Sequence, residues 1–137
     1  MPSLLFVDTA GWLAAFSPTE AAHEEVKAVI AEARVARKAI LTSDYVLDEL
    51  LTLVQRRFGH ADARTIGETL WRRRGAEIID VDAAARENAW SIFQKHSEHG
   101  LSFTDCTSAA LMRLRGIDDI LTLDKHFDLF GFNRLPE

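Results

Sequence analysis

The sequence predicts an α/β domain: a central parallel sheet of four to five strands flanked by helices. Short apolar runs such as Leu4–Val7 lack the alternation of polar and apolar residues seen in half-exposed strands, which is typical of strands buried on both faces. Between these runs, apolar residues recur every three or four positions, as in amphipathic helices. Strands that alternate with helices form parallel βαβ units with right-handed crossovers.

The first half of the chain holds two of the predicted strands. In chain order we predict a strand at 4–7, helices at 11–16 and 18–36, a strand at 39–42 and a helix at 44–58. Ser17, Pro18 and Glu20 have the arrangement of a capping box with proline at the first helical position, so the long helix is expected to begin there. Ser43 is placed to cap the last of these helices, and Gly59 lies just past its end.

The second half continues the alternation. We predict a helix at 60–74, a strand at 78–81, a helix from an Asp82 cap to about residue 99, a helix opened by 102–105 and ended before Gly116, and a strand at 120–124. The tail from Phe127 has room for one edge strand. Because no repeat, linker or low-complexity segment divides the chain, we expect a single domain over residues 1–137.

Composition limits the classes of function. Lys and Arg number 16 against 21 Asp and Glu, a formal net charge of −5, which argues against non-specific binding of nucleic acid but allows a local basic rim. The single cysteine, Cys106, excludes an internal disulfide and favours a reducing compartment. No apolar stretch approaches the roughly 20 residues that span a bilayer, and the start has no basic leader. We therefore expect a cytoplasmic protein without membrane contact.

Carboxylates follow the predicted strands at the edge where open α/β sheets bind ligands. Asp8 comes directly after the first strand, and Asp124 ends the fourth. Asp105 lies at the start of a helix, where Ser102-x-x-Asp105 resembles a capping box. A helix amino terminus also stabilises an ionised carboxylate, so the capping role and a ligand role are compatible.

Three acidic residues on the helix at 44–58 compete for a place near this edge. At roughly 100° per residue, Glu49 falls just beyond the border of the apolar stripe, and Asp48 lies further out on the other flank. Glu49 is slightly better placed than Asp48 or Asp44, but the pattern leaves the choice open. A solvated face is the ordinary role of a lone glutamate.

Converging carboxylates repel one another and raise each other's pKa unless a cation neutralises them. Oxygen ligands select hard ions such as Mg²⁺ or Mn²⁺, which commonly use few carboxylates together with water and substrate phosphate. Such an ion can activate water and stabilise charge on phosphoryl oxygens. The pattern therefore indicates a metal-dependent phosphodiesterase.

Four segments resemble the acidic motifs of the PIN-domain ribonucleases. They are Val7-Asp8-Thr9, Asp44–Leu50 around Glu49, Ser102–Asp105 and Thr122–Phe127. The resemblance covers essentially the whole chain and is greatest to the small VapC-type toxins of toxin–antitoxin pairs. It implies an endoribonuclease that acts on RNA with Mg²⁺ or Mn²⁺ held by Asp8, Glu49, Asp105 and Asp124. It also implies a homodimer that a cognate antitoxin protein inhibits.

The resemblance also suggests how these residues divide the work. The first and third motifs match most closely, so Asp8 and Asp105 are expected to make the firmest metal contacts. Asp124 would share a metal or orient water, and Glu49 would position a second metal or the nucleophile. Thr9 and Thr104 are candidates for hydrogen bonds to these ligands. One departure is that Lys125 and His126 stand where relatives often carry a further acid.

Two other classes of protein fit part of the pattern. One is a PIN-fold protein that binds RNA or its antitoxin with little or no nuclease activity. The other is a receiver-like domain phosphorylated on aspartate, but that class usually pairs acidic residues directly after the first strand, whereas Thr9 follows Asp8 here. Among other candidates, Trp12, Trp71 and Trp90 could stack on bases, although packing is the ordinary role of each.

Overall fold

The computed structural model describes residues 3–137 and has five parallel strands at its centre. In chain order the elements are β1 (Leu4–Val7), α1 (Thr9–Phe16), α2 (His23–Val35), β2 (Ala39–Ser43), α3 (Asp44–Phe58), α4 (His60–Gly67), a π-helical turn (Glu68–Arg72), β3 (Glu77–Ile79), α5 (Ala83–Lys95), a 3₁₀ turn (Ser97–His99), α6 (Phe103–Arg115), β4 (Asp119–Leu121), a second 3₁₀ turn (Lys125–Phe130) and β5 (Asn133–Leu135). The sheet order is β3-β2-β1-β4-β5, and every neighbouring pair is parallel. The predicted fold class is confirmed, including the edge strand in the tail.

The first strand occupies the middle of the sheet. Phe6 of β1 pairs with Leu41 of β2 on one side and with Ile120 of β4 on the other. Both faces of β1 are covered, so Leu5 and Val7 are fully buried, which is why this strand reads as a continuous apolar run. The residue after β1 therefore lies at the centre of the carboxyl edge of the sheet.

The structure corrects the predicted helix boundaries near the N-terminal end. The first helix begins at Thr9 rather than 11, because the Asp8 side chain caps it. The second begins at His23 rather than 18. Ser17 is used at the end of α1, where its N–H donates to the Leu13 carbonyl and its hydroxyl lies 2.9 Å from that of Thr19. The residues with the sequence pattern of a capping box therefore form the turn after α1 and do not begin α2.

Several later boundaries also differ. The helix predicted at 60–74 is α-helical only to Gly67, then widens into a π turn in which the Arg73 N–H donates to the Glu68 carbonyl. The helix after Asp82 ends at Lys95 rather than near 99. Strand β3 was predicted at 78–81 and is found at Glu77–Ile79. Strand β4 is Asp119–Leu121, so Asp124 lies beyond the strand rather than at its end.

Two expectations from composition concern membranes and targeting. Over residues 3–137, no helix combines the length and apolar character needed to cross a bilayer. The expectation about an N-terminal leader concerns Met1 and Pro2, which lie outside the described residues. The free thiol of Cys106 is buried among the small residues that pack α6 against α5.

Candidate active site

Asp8 is a buried carboxylate at the centre of the carboxyl edge, with 4% of its surface exposed. Its Oδ1 accepts a hydrogen bond from the Gly11 N–H at 2.9 Å, which caps the first turn of α1. Its Oδ2 accepts a hydrogen bond from the hydroxyl of Thr122 at 2.7 Å. The two carboxylate oxygens therefore accept hydrogen bonds from different parts of the fold, one from α1 and one from the residue after β4.

Gly11 allows α1 to come close enough to the sheet for this cap. A Cβ atom at that position would clash with the carbonyl oxygen of Leu121 and lie 3.0 Å from a methyl carbon of Val7. Because the nearest atom belongs to the backbone of β4, no side-chain movement would relieve the clash. The absence of a side chain at Gly11 thus fixes the start of α1 over β1 and β4.

Thr122 connects Asp8 to the fourth predicted carboxylate. Its hydroxyl accepts a hydrogen bond from the backbone N–H of Asp124 at 3.0 Å while donating to Asp8. Oδ1 of Asp124 caps the following 3₁₀ turn through the His126 N–H at 2.9 Å, and the Nδ1 atom of the same histidine lies 3.0 Å from it. Asp124 is therefore oriented from both sides, although it has left the strand.

The threonine that bonds to a site carboxylate is Thr122, whereas the sequence predicted Thr9 and Thr104. Within the described residues, no hydrogen bond joins the Thr9 or Thr104 hydroxyl to any of the four carboxylates, whereas Thr122 bonds Asp8. A sequence signal existed: Thr122 follows the last residue of a buried strand and precedes Asp124 by two positions. A hydroxyl at such a place commonly bonds to nearby polar groups.

Asp105 has the capping role predicted for it. Its N–H donates to the Ser102 hydroxyl at 3.0 Å, and its Oδ2 accepts from the Ser102 N–H at 3.1 Å, which completes a capping box at the start of α6. The capping role predicted for Asp105 is thus confirmed, while its role as a metal ligand stays a prediction.

The acidic side chains are close enough to perturb one another's ionisation. Burial raises the pKa of Asp8 to about 7, and the charges of Asp105 and Asp124 add to the rise, while the hydrogen bonds from Gly11 and Thr122 oppose it. Burial also raises the pKa of Asp105, with further contributions from the charges of Asp124 and Glu49. The carboxyl edge thus holds negative charge that a cation would stabilise.

Glu49 is the acid of α3 that faces this cluster. Its side chain is half-buried, and its charge contributes to the raised pKa of Asp105, whereas Asp48 is exposed. Asp44 is committed elsewhere, because its Oδ1 accepts hydrogen bonds from the N–H groups of Tyr45 and Val81. Of the three acids of α3, Glu49 is therefore the one whose charge acts on Asp105, and its place in the site stays a prediction.

The arrangement is open rather than a closed cage. Among residues 3–137, no three His, Cys, Asp or Glu side chains are grouped tightly enough to enclose one ion. Mg²⁺ usually takes only one or two carboxylates and completes its shell with water and phosphate oxygens, so a spread set of acids is compatible with it. The donor set, all oxygen with one deeply buried carboxylate, fits a hard divalent cation.

Of three other residues near the site, two are excluded from direct roles and one remains a candidate. The indole of Trp12 is buried and donates its Nε1–H to the Thr42 hydroxyl at 3.1 Å, so its ring is not available to a base. Burial raises the pKa of the Cys106 thiol to about 11, which leaves it protonated and a poor nucleophile. Lys125, next to Asp124, is exposed and remains a candidate for phosphate contact.

Known proteins are similar to this chain in sequence and in fold. Residues 5–133 match the PIN domain family. The chain is 33% identical over 129 residues to the 23S rRNA-specific endonuclease VapC20 of Mycobacterium tuberculosis, covering 94% of this chain and 95% of that protein. The crystal structure of VapC20, described as a sarcin–ricin loop cleaving toxin, superposes with a TM-score of 0.82 at 34% identity over 93% of this chain and 95% of that one.

More distant structures share the fold alone. VapBC2 from Rickettsia felis, bound to a DNA fragment from its promoter, has a TM-score of 0.72 at 16% identity and covers 96% of both chains. A toxin–antitoxin complex from Klebsiella pneumoniae has a TM-score of 0.61 at 20% identity and covers 91% of this chain and 90% of that one.

Proposed function

Because this chain belongs to the PIN-domain family and is a homologue of VapC-type ribonuclease toxins, we propose that it is a metal-dependent endoribonuclease, the toxin of a toxin–antitoxin pair. The observation that carries the proposal is the buried Asp8 carboxylate, whose pKa is raised to about 7 beside Asp105 and Asp124. A buried acid of this kind becomes favourable as an anion when a cation binds next to it.

The cofactor in this proposal is Mg²⁺ or Mn²⁺, held by Asp8, Asp105, Asp124 and Glu49. The cation would supply positive charge for the attacking water and for the phosphoryl oxygens of the RNA. Asp8 and Asp105 would hold it most directly, because burial raises the pKa of both carboxylates and a cation beside them would favour their ionised forms. Asp124, oriented by Thr122 and His126, would share the cation or orient water.

Glu49 has a separate role in the proposal. Its half-buried carboxylate approaches Asp105 from α3, on a different element from the other three acids. We assign it to orienting the water that attacks phosphorus, as one P–O bond of the RNA backbone breaks. The reaction is hydrolysis and needs no covalent intermediate on the protein.

We extend the substrate class from the relative. VapC20 of M. tuberculosis is a 23S rRNA-specific endonuclease, and the two chains align over nearly their full lengths, so ribosomal RNA of the large subunit is the first substrate to test. A cognate antitoxin protein, a homodimeric state and a cytoplasmic location belong to the same proposal, and they rest on membership of this toxin family.

The test uses purified protein freed of antitoxin, with total RNA and with intact ribosomes, in Mg²⁺, Mn²⁺ or EDTA. The expected result is a discrete fragment of large-subunit RNA that forms only with the metal and is absent with Asp8→Asn protein. Primer extension then maps the cut. Well-folded protein that binds RNA but cuts none in any condition would contradict the nuclease and favour a binding protein. Light scattering of the same sample gives the oligomeric state.

A further inference from the structure

Two exposed aromatic side chains lie side by side on α5. Trp90 is 50% exposed and Phe93 is 39% exposed. They are three residues apart on one face of the helix, and their rings are stacked, with centroids 5.8 Å apart and planes inclined by 22°. Phe58 and Trp71 are exposed aromatic residues as well, but within residues 3–137 neither is stacked on another aromatic ring, so this pair is a distinct surface feature.

The stacked pair continues into a row that reaches the carboxylates. Phe93 meets Phe103 edge-on at 6.0 Å, and Phe103 lies 6.4 Å from Tyr45. Phe103 is the first residue of α6, two positions before Asp105. Tyr45 lies one helical turn before Glu49 on α3. The aromatic row, Trp90-Phe93-Phe103-Tyr45, thus leads from the surface of α5 to the acidic cluster.

We infer that the aromatic row stacks the unpaired bases of the RNA that flank the cleaved bond. The inference rests on the proposed function and specifies how the substrate is held. Sequence-specific proteins commonly read unstacked bases of RNA loops by stacking them on aromatic side chains. Stacking also provides affinity that does not depend on charge, which suits a protein with a net charge of −5 at an acidic site.

The geometry favours bases over a second copy of the chain as the occupant. The exposed part of the row is two side chains, whereas a standard protein interface buries about 800 Å² on each partner. The row is also continuous with the site that the RNA must enter, so bases on either side of the scissile phosphate would reach it. A contact between copies of the chain is treated as an alternative result of the test.

The test measures binding to RNA without cleavage, in the Asp8→Asn background. The probe is a fluorescein-labelled RNA hairpin with a single-stranded loop, together with the same hairpin carrying abasic nucleotides in the loop. Trp90→Ala is expected to weaken binding of the intact hairpin roughly tenfold and to leave binding of the abasic hairpin unchanged. Trp90→Phe, which keeps an aromatic face, should restore most of the affinity.

Trp71→Ala is the matched control. Trp71 is 58% exposed but lies in the π turn, and the Arg72 guanidinium lies over its ring at 5.0 Å from the centroid. We expect this variant to bind both hairpins like its parent. Circular dichroism and thermal unfolding of every variant establish that the proteins compared are folded.

Three results would overturn the inference. One is equal affinity of folded Trp90→Ala and its parent for the intact hairpin; another is equal loss of affinity for the intact and abasic hairpins. The third is a fall in molar mass of Trp90→Ala by light scattering, which would assign the row to contact between copies. Loss of binding in Trp90→Ala alongside an inactive wild-type protein would instead leave the row in place and reject the nuclease.

Discussion

The hydroxyl of Thr122 donates to the Asp8 carboxylate across 2.7 Å, although 114 residues separate them in the chain. The same oxygen accepts from the N–H of Asp124. Burial raises the pKa of Asp8, and this hydrogen bond opposes the rise. Thr122 therefore influences how much of the site is ionised at neutral pH, in addition to orienting two of its acids.

Replacing this hydroxyl should impair activity in a way that depends on pH. In Thr122→Val the shape is nearly kept but the donor to Asp8 is lost, so the pKa of Asp8 should rise further and cation binding should weaken. Residues that support metal ligands typically contribute about 10- to 100-fold to affinity or activity. Cleavage rates measured against pH should fall by that order, with the acid limb displaced to higher pH. Thr122→Ser, which retains the hydroxyl, should stay near wild type; an unshifted limb in Thr122→Val would contradict the role.

Asp8→Asn should abolish cleavage and yet stabilise the metal-free fold at neutral pH. The pKa of Asp8 is raised from 3.8 to about 7 in the folded protein. The unfolded chain releases this proton near pH 4 and the folded chain only near pH 7, so the wild type loses stability as the pH rises through that interval. The loss is on the order of 4 kcal/mol, and the neutral amide avoids it.

Thermal unfolding in EDTA checks this expectation. At pH 8 Asp8→Asn should melt several degrees above wild type, and below pH 4 the advantage should vanish, because both proteins are then neutral at this position. Asp48→Asn, on an exposed carboxylate of the same charge, should change the melting temperature little at either pH. An Asp8→Asn protein that is less stable at pH 8 would show that burial of the charge is not costly here.

Addition of the cation should raise the melting temperature of wild type above that of Asp8→Asn. Mg²⁺ or Mn²⁺ is expected to raise the melting temperature of wild type but not of Asp8→Asn, and to do so more at pH 8 than at pH 6, because a proton on Asp8 competes with the metal. Calorimetric titration near pH 7 in two buffers of different ionisation enthalpy should detect proton release on binding. Heat that is independent of the buffer would place the cation away from Asp8.

Glu49 and Asp48 offer a test of the second acidic motif. Glu49→Gln should reduce cleavage by at least about 100-fold, because the side chain that orients water in the proposed reaction is lost. Asp48→Asn, one position away but exposed, removes the same charge and should retain activity. Rates for the two variants at saturating metal make the comparison, and similar losses in both would point to a general effect of charge on α3.

Gly11→Ala should disturb the site through the backbone. The added methyl would clash with the Leu121 carbonyl oxygen, so α1 must move and the hydrogen bond from the Gly11 N–H to Asp8 must break. We expect a loss of at least about 2 kcal/mol in the free energy of unfolding, together with lower activity. Gly67→Ala is the control: its methyl would make ordinary contact with Leu51 at 3.6 Å and should leave stability unchanged or slightly improved. Urea unfolding compares the two.

Some of the fold and site could be read directly from the residues. The run Leu4–Val7 indicated a strand buried on both faces, and the carboxylate after it therefore lies at the carboxyl edge. Ser102 and Asp105 formed the capping box that their spacing indicates. The capping box depends on contacts within three residues, and the burial of β1 on both faces is recorded in its own apolar run, so a local pattern indicates both.

Features that depend on distant contacts could not be read in this way. The sequence places Ser17 as the cap of the next helix, but its N–H donates to the Leu13 carbonyl at the end of α1. Helix α2 therefore begins only at His23. The support of Asp8 by Thr122 exists only because β1 and β4 are neighbours, which the order of strands in the chain does not state. For the same reason the helical pattern of α3 did not decide between Glu49 and its acidic neighbours.

The position of β1 between β2 and β4 also bears on when the protein becomes active during its synthesis. A growing polypeptide carries Asp8 from the start, but Asp105, Thr122 and Asp124 are added much later. Any product that stops before Asp119 leaves one side of β1 unpaired and lacks Thr122, whose hydroxyl donates to Asp8. Under the proposed function, an unfinished chain still attached to its ribosome is therefore unable to cleave that ribosome's RNA.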